Sequence, residues 1–128
     1  MIVRTREDLK GLDRIVSDKK WISARYLLKK DGLGFSLHET IIEAGSEQQL
    51  WYKNHFEANI IIEGVAEVED LATGKVYGLA PGTLYALDRH DRHIFRAKTR
   101  VRLICVFNPP CTGQEIHDRD GNFPLLED

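Results

Sequence analysis

The stretch Trp51–His93, WYKNHFEANIIIEGVAEVEDLATGKVYGLAPGTLYALDRHDRH, decides how the whole chain is read. Its run Ala58–Ile62 is the most strand-like segment of the sequence. Glu63-Gly64 turns that run into Val65–Asp70, and Thr73-Gly74 turns the latter into Lys75–Leu79. Short glycine-bearing connections between β-rich runs predict an antiparallel meander. Pro81-Gly82 interrupts it, and Thr83–Leu87 resumes with Tyr85 and Leu87 on one face. Two clusters of potential metal ligands flank the predicted hairpin: His55 and Glu57 on one side, Asp88, His90, Asp91 and His93 on the other.

Working outward, Thr5-Arg6-Glu7-Asp8 has the form of a helix start, and Gly11 limits that helix to about two turns. Trp21–Leu28 reads as a strand with Trp21, Ser23 and Arg25 on one face. Phe35–Ala44 is a second strand with His38 and Thr40 on a common face, and Gly45-Ser46-Glu47-Gln48 closes it as a loop. His93–Ala97 and Arg100–Phe107 follow, the latter aligning Leu103, Cys105 and Phe107. Pro109 and Pro110 end the sheet because neither can donate to a ladder. The polar tail from Cys111 is expected to wrap over the body. The pattern is all-β, a small barrel or sandwich, in a single domain spanning 1–128.

Composition narrows the function. Charged residues make up 30% and the net charge is -2, which leaves no electrostatic footprint for nucleic acid. Apolar runs are far too short for a membrane span, and Met1-Ile2-Val3-Arg4 opens no secretory signal. Cys105 and Cys111 form no CxxC motif and fit two reduced thiols. A cytoplasmic protein is expected.

In a small barrel the inward faces of neighbouring strands converge, which can bring Glu57, Tyr85 and His93 to one point. Carboxylate, phenol and imidazole are hard donors that suit Fe(II), Mn(II) or Zn(II), and three of them leave coordination positions open. Read one at a time, the same residues serve equally well as a solvated turn, a core ring and turn-stabilising groups. Arg25 beside Trp21 fits a small carboxylate ligand, or else an exposed edge arginine. Glu115 and His117, two apart in the tail, can exchange protons near neutral pH or simply face solvent.

The run ending Ile61-Ile62-Glu63-Gly64 resembles the first motif of cupins, whose metal glutamate falls at Glu57; the second motif, counted from Gly82, places its histidine at His93. The paired histidines usual in the first motif fall here at Trp51 and Lys53, so the histidine-rich cupin site is absent. GTLYALDRHDRH, CVFNPPCTG, the MIVRT start and KKWISARYLLKKDGLGFS resemble the ectoine synthase family over nearly the whole chain. The resemblance implies a cupin-type jelly-roll barrel that closes Nγ-acetyl-L-2,4-diaminobutyrate into the cyclic amidine ectoine, a compatible solute, with loss of water. It implies a homodimer and Fe(II) held by Glu57, Tyr85 and His93. It also implies pocket residues at Trp21, Arg25, Thr40, Tyr52, His55, Cys105, Phe107, Glu115 and His117. His38 shares the strand face of Thr40 and joins the expected substrate contacts. Glu115, His117, Tyr52 and His55 are the expected catalytic groups. A solute-binding cupin without turnover and a cupin dioxygenase are the alternatives.

Overall fold

The computed structural model describes residues 1–113, 115–118 and 121–123. Their backbone forms two antiparallel sheets packed face to face. The larger carries β1 (Ile15–Ser17), β2 (Trp21–Leu27), β3 (Ser36–Ile42), β10 (Val101–Asn108), β5 (Phe56–Glu63) and β8 (Leu84–Leu87), in that spatial order. The smaller carries β4 (Glu47–Leu50), β9 (His93–Ala97), β6 (Ala66–Asp70) and β7 (Lys75–Leu79). A single short helix, α1 (Arg6–Gly11), is capped by a reciprocal Thr5–Asp8 pair and buries Leu9.

β10 is central, flanked by β3 and β5, and its alternation sends Val101, Leu103, Cys105 and Phe107 inward. β5 follows the same period, with Glu57, Asn59 and Ile61 buried while Phe56 and Ile60 face out. Ala66, Val68, Phe95, Ala97, Leu50 and Leu79 of the smaller sheet close the core from the other side. Full burial of a side chain such as Phe95 or Ile61 contributes roughly 1.5–3 kcal/mol, so this two-sided interior is what holds the sheets together.

The meander expected across Glu63-Gly64 is not there. β5 pairs with β10 and β8, and β6 pairs with β7 and β9, so this turn carries the chain from one sheet to the other. Gly64 is needed there: its φ is +91°, and a Cβ would collide with the Arg100 carbonyl. The next turn is the hairpin predicted, with Asp70 opposite Lys75 and Gly74 N–H donating to Asp70 O at 2.7 Å. The predicted loop at Gly45–Gln48 is also partly wrong, since Glu47–Leu50 forms β4 against β9. Its Glu-Gln-Gln-Leu sequence carries no apolar alternation; pairing with β9 imposes the extended form.

Past Pro110 the chain folds back over one end of the sandwich. Lys29 N–H donates to Cys111 O at 2.8 Å, Trp51 N–H to Gly121 O at 2.9 Å and Lys53 N–H to Asn122 Oδ1 at 2.8 Å. Phe123 is buried at the end of this strap.

Candidate active site

Strand register assembles one row of inward side chains across the larger sheet. Arg25 lies opposite His38, His38 opposite Cys105, Cys105 opposite Asn59, and Asn59 opposite Tyr85. Above this row a cavity of ≈ 50 Å³ is walled by Trp21, Arg25, Thr40, Tyr52, Glu57, Tyr85, Cys105, Phe107 and His117. A second cavity of ≈ 340 Å³ opens between β7 and β8, and Tyr85 belongs to both. His93, on the smaller sheet, lines only the second.

His93 Nδ1 is 2.9 Å from the Asp91 carbonyl oxygen, the distance of an N–H donating to that acceptor. This fixes the tautomer and leaves the Nε2 lone pair buried without a partner. Glu57 is buried, and burial pushes its carboxyl up to about 7. Tyr85's phenol is held well above its ordinary value, first by burial and then by the Glu57 carboxylate. An orphaned imidazole nitrogen, a desolvated carboxyl and a phenol fit a first-row divalent cation, whose charge would offset what burial costs each of them. These residues fit a metal cofactor.

A second group brings ligand atoms of His55, Cys111 and Glu115 within 4.8 Å of one another. It is less suited to a cation. Glu115 Oε2 accepts from Thr112 N–H at 2.6 Å and Oε1 from Gly113 N–H at 2.8 Å. Arg25 Nη1 lies 3.7 Å from Glu115 Oε1, and burial pushes the Cys111 thiol up to about 12. An ion there would have to displace backbone donors, strip a stubborn thiol and sit beside a guanidinium.

Arg25 is wholly buried. Its Nη2 donates to Glu115 O at 2.8 Å and its Nε to Ser23 Oγ at 3.3 Å, while Nη1 makes no hydrogen bond. One nitrogen of the fork, 3.7 Å from Glu115 Oε1, therefore lacks a hydrogen-bond acceptor. His117 Nε2 lies 2.6 Å from Tyr52 Oη, with its ring edge-on to Trp21 at 5.6 Å and stacked at 4.5 Å on Phe123, the ring that Arg25 also faces at 5.5 Å. Burial and then the Arg25 charge depress His117 to about 4, and burial holds the Tyr52 phenol well above its ordinary value. Cys105, 3.5 Å from Thr40 Oγ1, is likewise kept a thiol by burial.

The chain matches the family model described as ectoine synthase over residues 1–127. It is 55% identical to the L-ectoine synthase of Desulfosudis oleivorans over 129 residues, covering 100% of both chains. The chain belongs to the ectoine synthase family. The solved ectoine synthase from P. lautus superposes with a TM-score of 0.87 at 48% identity, over 100% of this chain and 92% of that one. An RmlC-like cupin from Shewanella frigidimarina, 18% identical, superposes with a TM-score of 0.62 over 74% of this chain and 82% of its own; it shares the cupin fold.

Within this ectoine synthase fold, besides His93, which lines only the second cavity, three expected catalytic or substrate-contact residues stand back from the first. His38, His55 and Glu115 are buried but do not line it. The His38 ring is tilted against Phe107 at 5.1 Å, and the His55 ring is edge-on to Phe107 at 5.7 Å and to Phe123 at 6.3 Å. Sequence reading also missed Ser23, Asn59, Gln48 and Phe123, all of which line the cavity. Ser23 and Asn59 carried a signal, since each shares strand parity with a chosen residue; Gln48 and Phe123 carried none.

Proposed function

We propose that this cavity closes Nγ-acetyl-L-2,4-diaminobutyrate to ectoine with loss of water, and that the domain spanning 1–128 does so as a cytoplasmic homodimer. The observation that carries the reading is Arg25, sealed from solvent, with one guanidinium nitrogen that makes no hydrogen bond, in the wall of a cavity lined by aromatic rings. Such a donor pairs with a substrate carboxylate and fixes one end of a flexible chain. Trp21 and Phe107 then enclose the methylenes and bring amine and acetamide together, which removes rotational entropy before the chemical step.

Glu57, Tyr85 and His93 would hold the metal, which we assign as Fe(II), with Mn(II) or Zn(II) as substitutes. Bound there, it supplies Lewis-acid polarisation of the acetamide carbonyl. His117, depressed to about 4, is a free base near neutral pH and takes a proton from the attacking nitrogen. Tyr52, at 2.6 Å, hands one on to the departing oxygen. The carbon–nitrogen bond forms, the carbon–oxygen bond breaks, and both protons of the released water come from the two substrate nitrogens. Glu115 orients Arg25 and ties down the strap through Thr112 and Gly113, with His55 behind it. Thr40 and Cys105 complete the wall, and His38 supports Phe107. The strap of Phe123 excludes water from an amidine that water would reopen.

Ile2, Val3 and Ile22 are exposed apolar side chains, Ile22 lying opposite Ser17 of the edge strand β1, and they support the homodimer. Incubation of anaerobic protein with Fe(II) and the acetylated diamine should yield ectoine by NMR. Bound but unchanged substrate would leave only a binding protein, and oxygen consumption would make it a dioxygenase.

A further inference from the structure

The cavity between β7 and β8 has no task in the chemistry above. It lies where the outermost strand of the smaller sheet meets the outermost strand of the larger. Asp70, Asp88 and Asp91 line it, and no lysine or arginine does. Arg92 is turned away, over the Trp51 ring at 5.4 Å, while Lys75, opposite Asp70, lies at the rim over the ring of Tyr77, a lining residue, at 4.9 Å. Asp70 Oδ1 accepts from Ala72 N–H at 3.0 Å and Asp91 Oδ2 from Arg89 N–H at 3.2 Å, contacts that hold both carboxylates in place. Among the described residues these acids form no gathered ligand set, so they line a path and do not trap an ion on it.

The path has a terminus. His93 and Tyr85 both line this cavity, and His93 Nε2, on a residue 1% exposed, has no hydrogen-bond partner. On the far side of Tyr85 the approach is guarded by the Arg25 guanidinium and the aromatic strap, a poor route for a hydrated cation.

We propose that the cleft between β7 and β8 is a cation-guiding channel through which the divalent metal reaches Tyr85 and His93, separate from the side on which substrate binds. The inference rests on the ligand set assigned above. A cleft walled by one sign of charge focuses the field and raises the association rate of an oppositely charged ion, and added salt screens that effect.

The test is the rate at which chelator-stripped protein takes up Co(II), followed by its visible absorption in a stopped-flow mixer. The double variant Asp70→Asn/Asp88→Asn should load on the order of tenfold more slowly than wild type at low ionic strength. The gap should close at high salt, with the same final stoichiometry. Asp88→Lys should load more slowly than Asp88→Asn, and Asp13→Asn, outside the cleft, should load like wild type. Equal loading rates for wild type and the double variant at low salt would overturn the channel while leaving the ligand set intact. Glu57→Ala and His93→Ala proteins that still take up Co(II) with an unchanged spectrum would overturn the ligand set, and the channel with it.

Discussion

Two cavities meet at Tyr85 and differ in nearly every respect. One measures ≈ 50 Å³, is lined by aromatic rings and has a buried guanidinium and one carboxylate, Glu57, in its wall; the other measures ≈ 340 Å³ and carries three carboxylates. The strap after Pro110 covers the first, while the second is the gap where two sheet edges meet. The contrast teaches that one barrel can sort its ligands by charge. Under the proposal above, the substrate's carboxylate would pair with Arg25 and the metal would enter past the acids, the two meeting at the wall both cavities share.

The largest expected effect falls on that wall. His93→Ala should abolish metal retention and lower turnover on the order of a thousandfold, the worth of several kcal/mol of Lewis-acid stabilisation. Metal analysis beside steady-state kinetics checks it; full activity in metal-free protein would break the division of labour. Tyr85→Phe keeps the ring both cavities share and removes only the donor, so it should lose metal with little change in thermal stability.

Next comes the cationic side. Arg25→Ala removes a buried pairing partner worth about 2–5 kcal/mol, so KM should rise at least thirtyfold while metal content stays whole. Arg25→Lys should rescue poorly, because an ammonium cannot reproduce the fork. An unchanged KM would show that the carboxylate binds elsewhere.

A smaller effect lies in the response to acid. His117 titrates near 4 in the folded protein against an ordinary value of 6.5. Between those values the unfolded chain binds a proton that the folded chain refuses, so stability falls as pH drops from 6.5 towards 4. The loss attributable to His117 is about 3 kcal/mol at most. His117→Gln should flatten that part of the curve in urea titrations of metal-free protein. His38, His55 and His93, which burial also depresses, keep the remainder. Equal slopes for variant and wild type would mean that His117 is solvated.

The smallest effect is a control outside both cavities. Thr5→Ala breaks the capping pair of α1 and should cost about 1 kcal/mol in chemical denaturation, with kinetics and metal content unchanged.

Much of the fold was legible because alternation is local. Leu103, Cys105 and Phe107 on β10, and Trp21, Ser23 and Arg25 on β2, declare a shared face through a period of two; each set is buried, which alternation alone left open for Arg25. What was not legible is where a strand goes after its turn. Glu63-Gly64 reads as a hairpin and is a passage between sheets, because the collision that demands glycine lies with Arg100, far along the chain. β4 was read as loop because its order comes from pairing with β9, a partner some 45 residues away. The candidate site divides the same way. Asp91 and His93 look like a ligand cluster in sequence, yet the Asp91 carbonyl fixes the ring of His93 and its carboxylate lines the neighbouring cleft.

By itself the sequence determined which side chains share a face on the strands, the helix cap at Thr5 and, through its long motifs, membership of the ectoine synthase family. Only the tertiary structure decided that Arg25, His38, Cys105, Asn59 and Tyr85 stand in one row, that His55 packs edge-on to Phe107 and Phe123, and that Glu115 pairs with Arg25. It alone placed Glu57 and His93 on facing sheets across Tyr85. The reason is that face is set by the backbone's own period, whereas neighbourhood is set by register between strands distant in sequence, which no local pattern encodes.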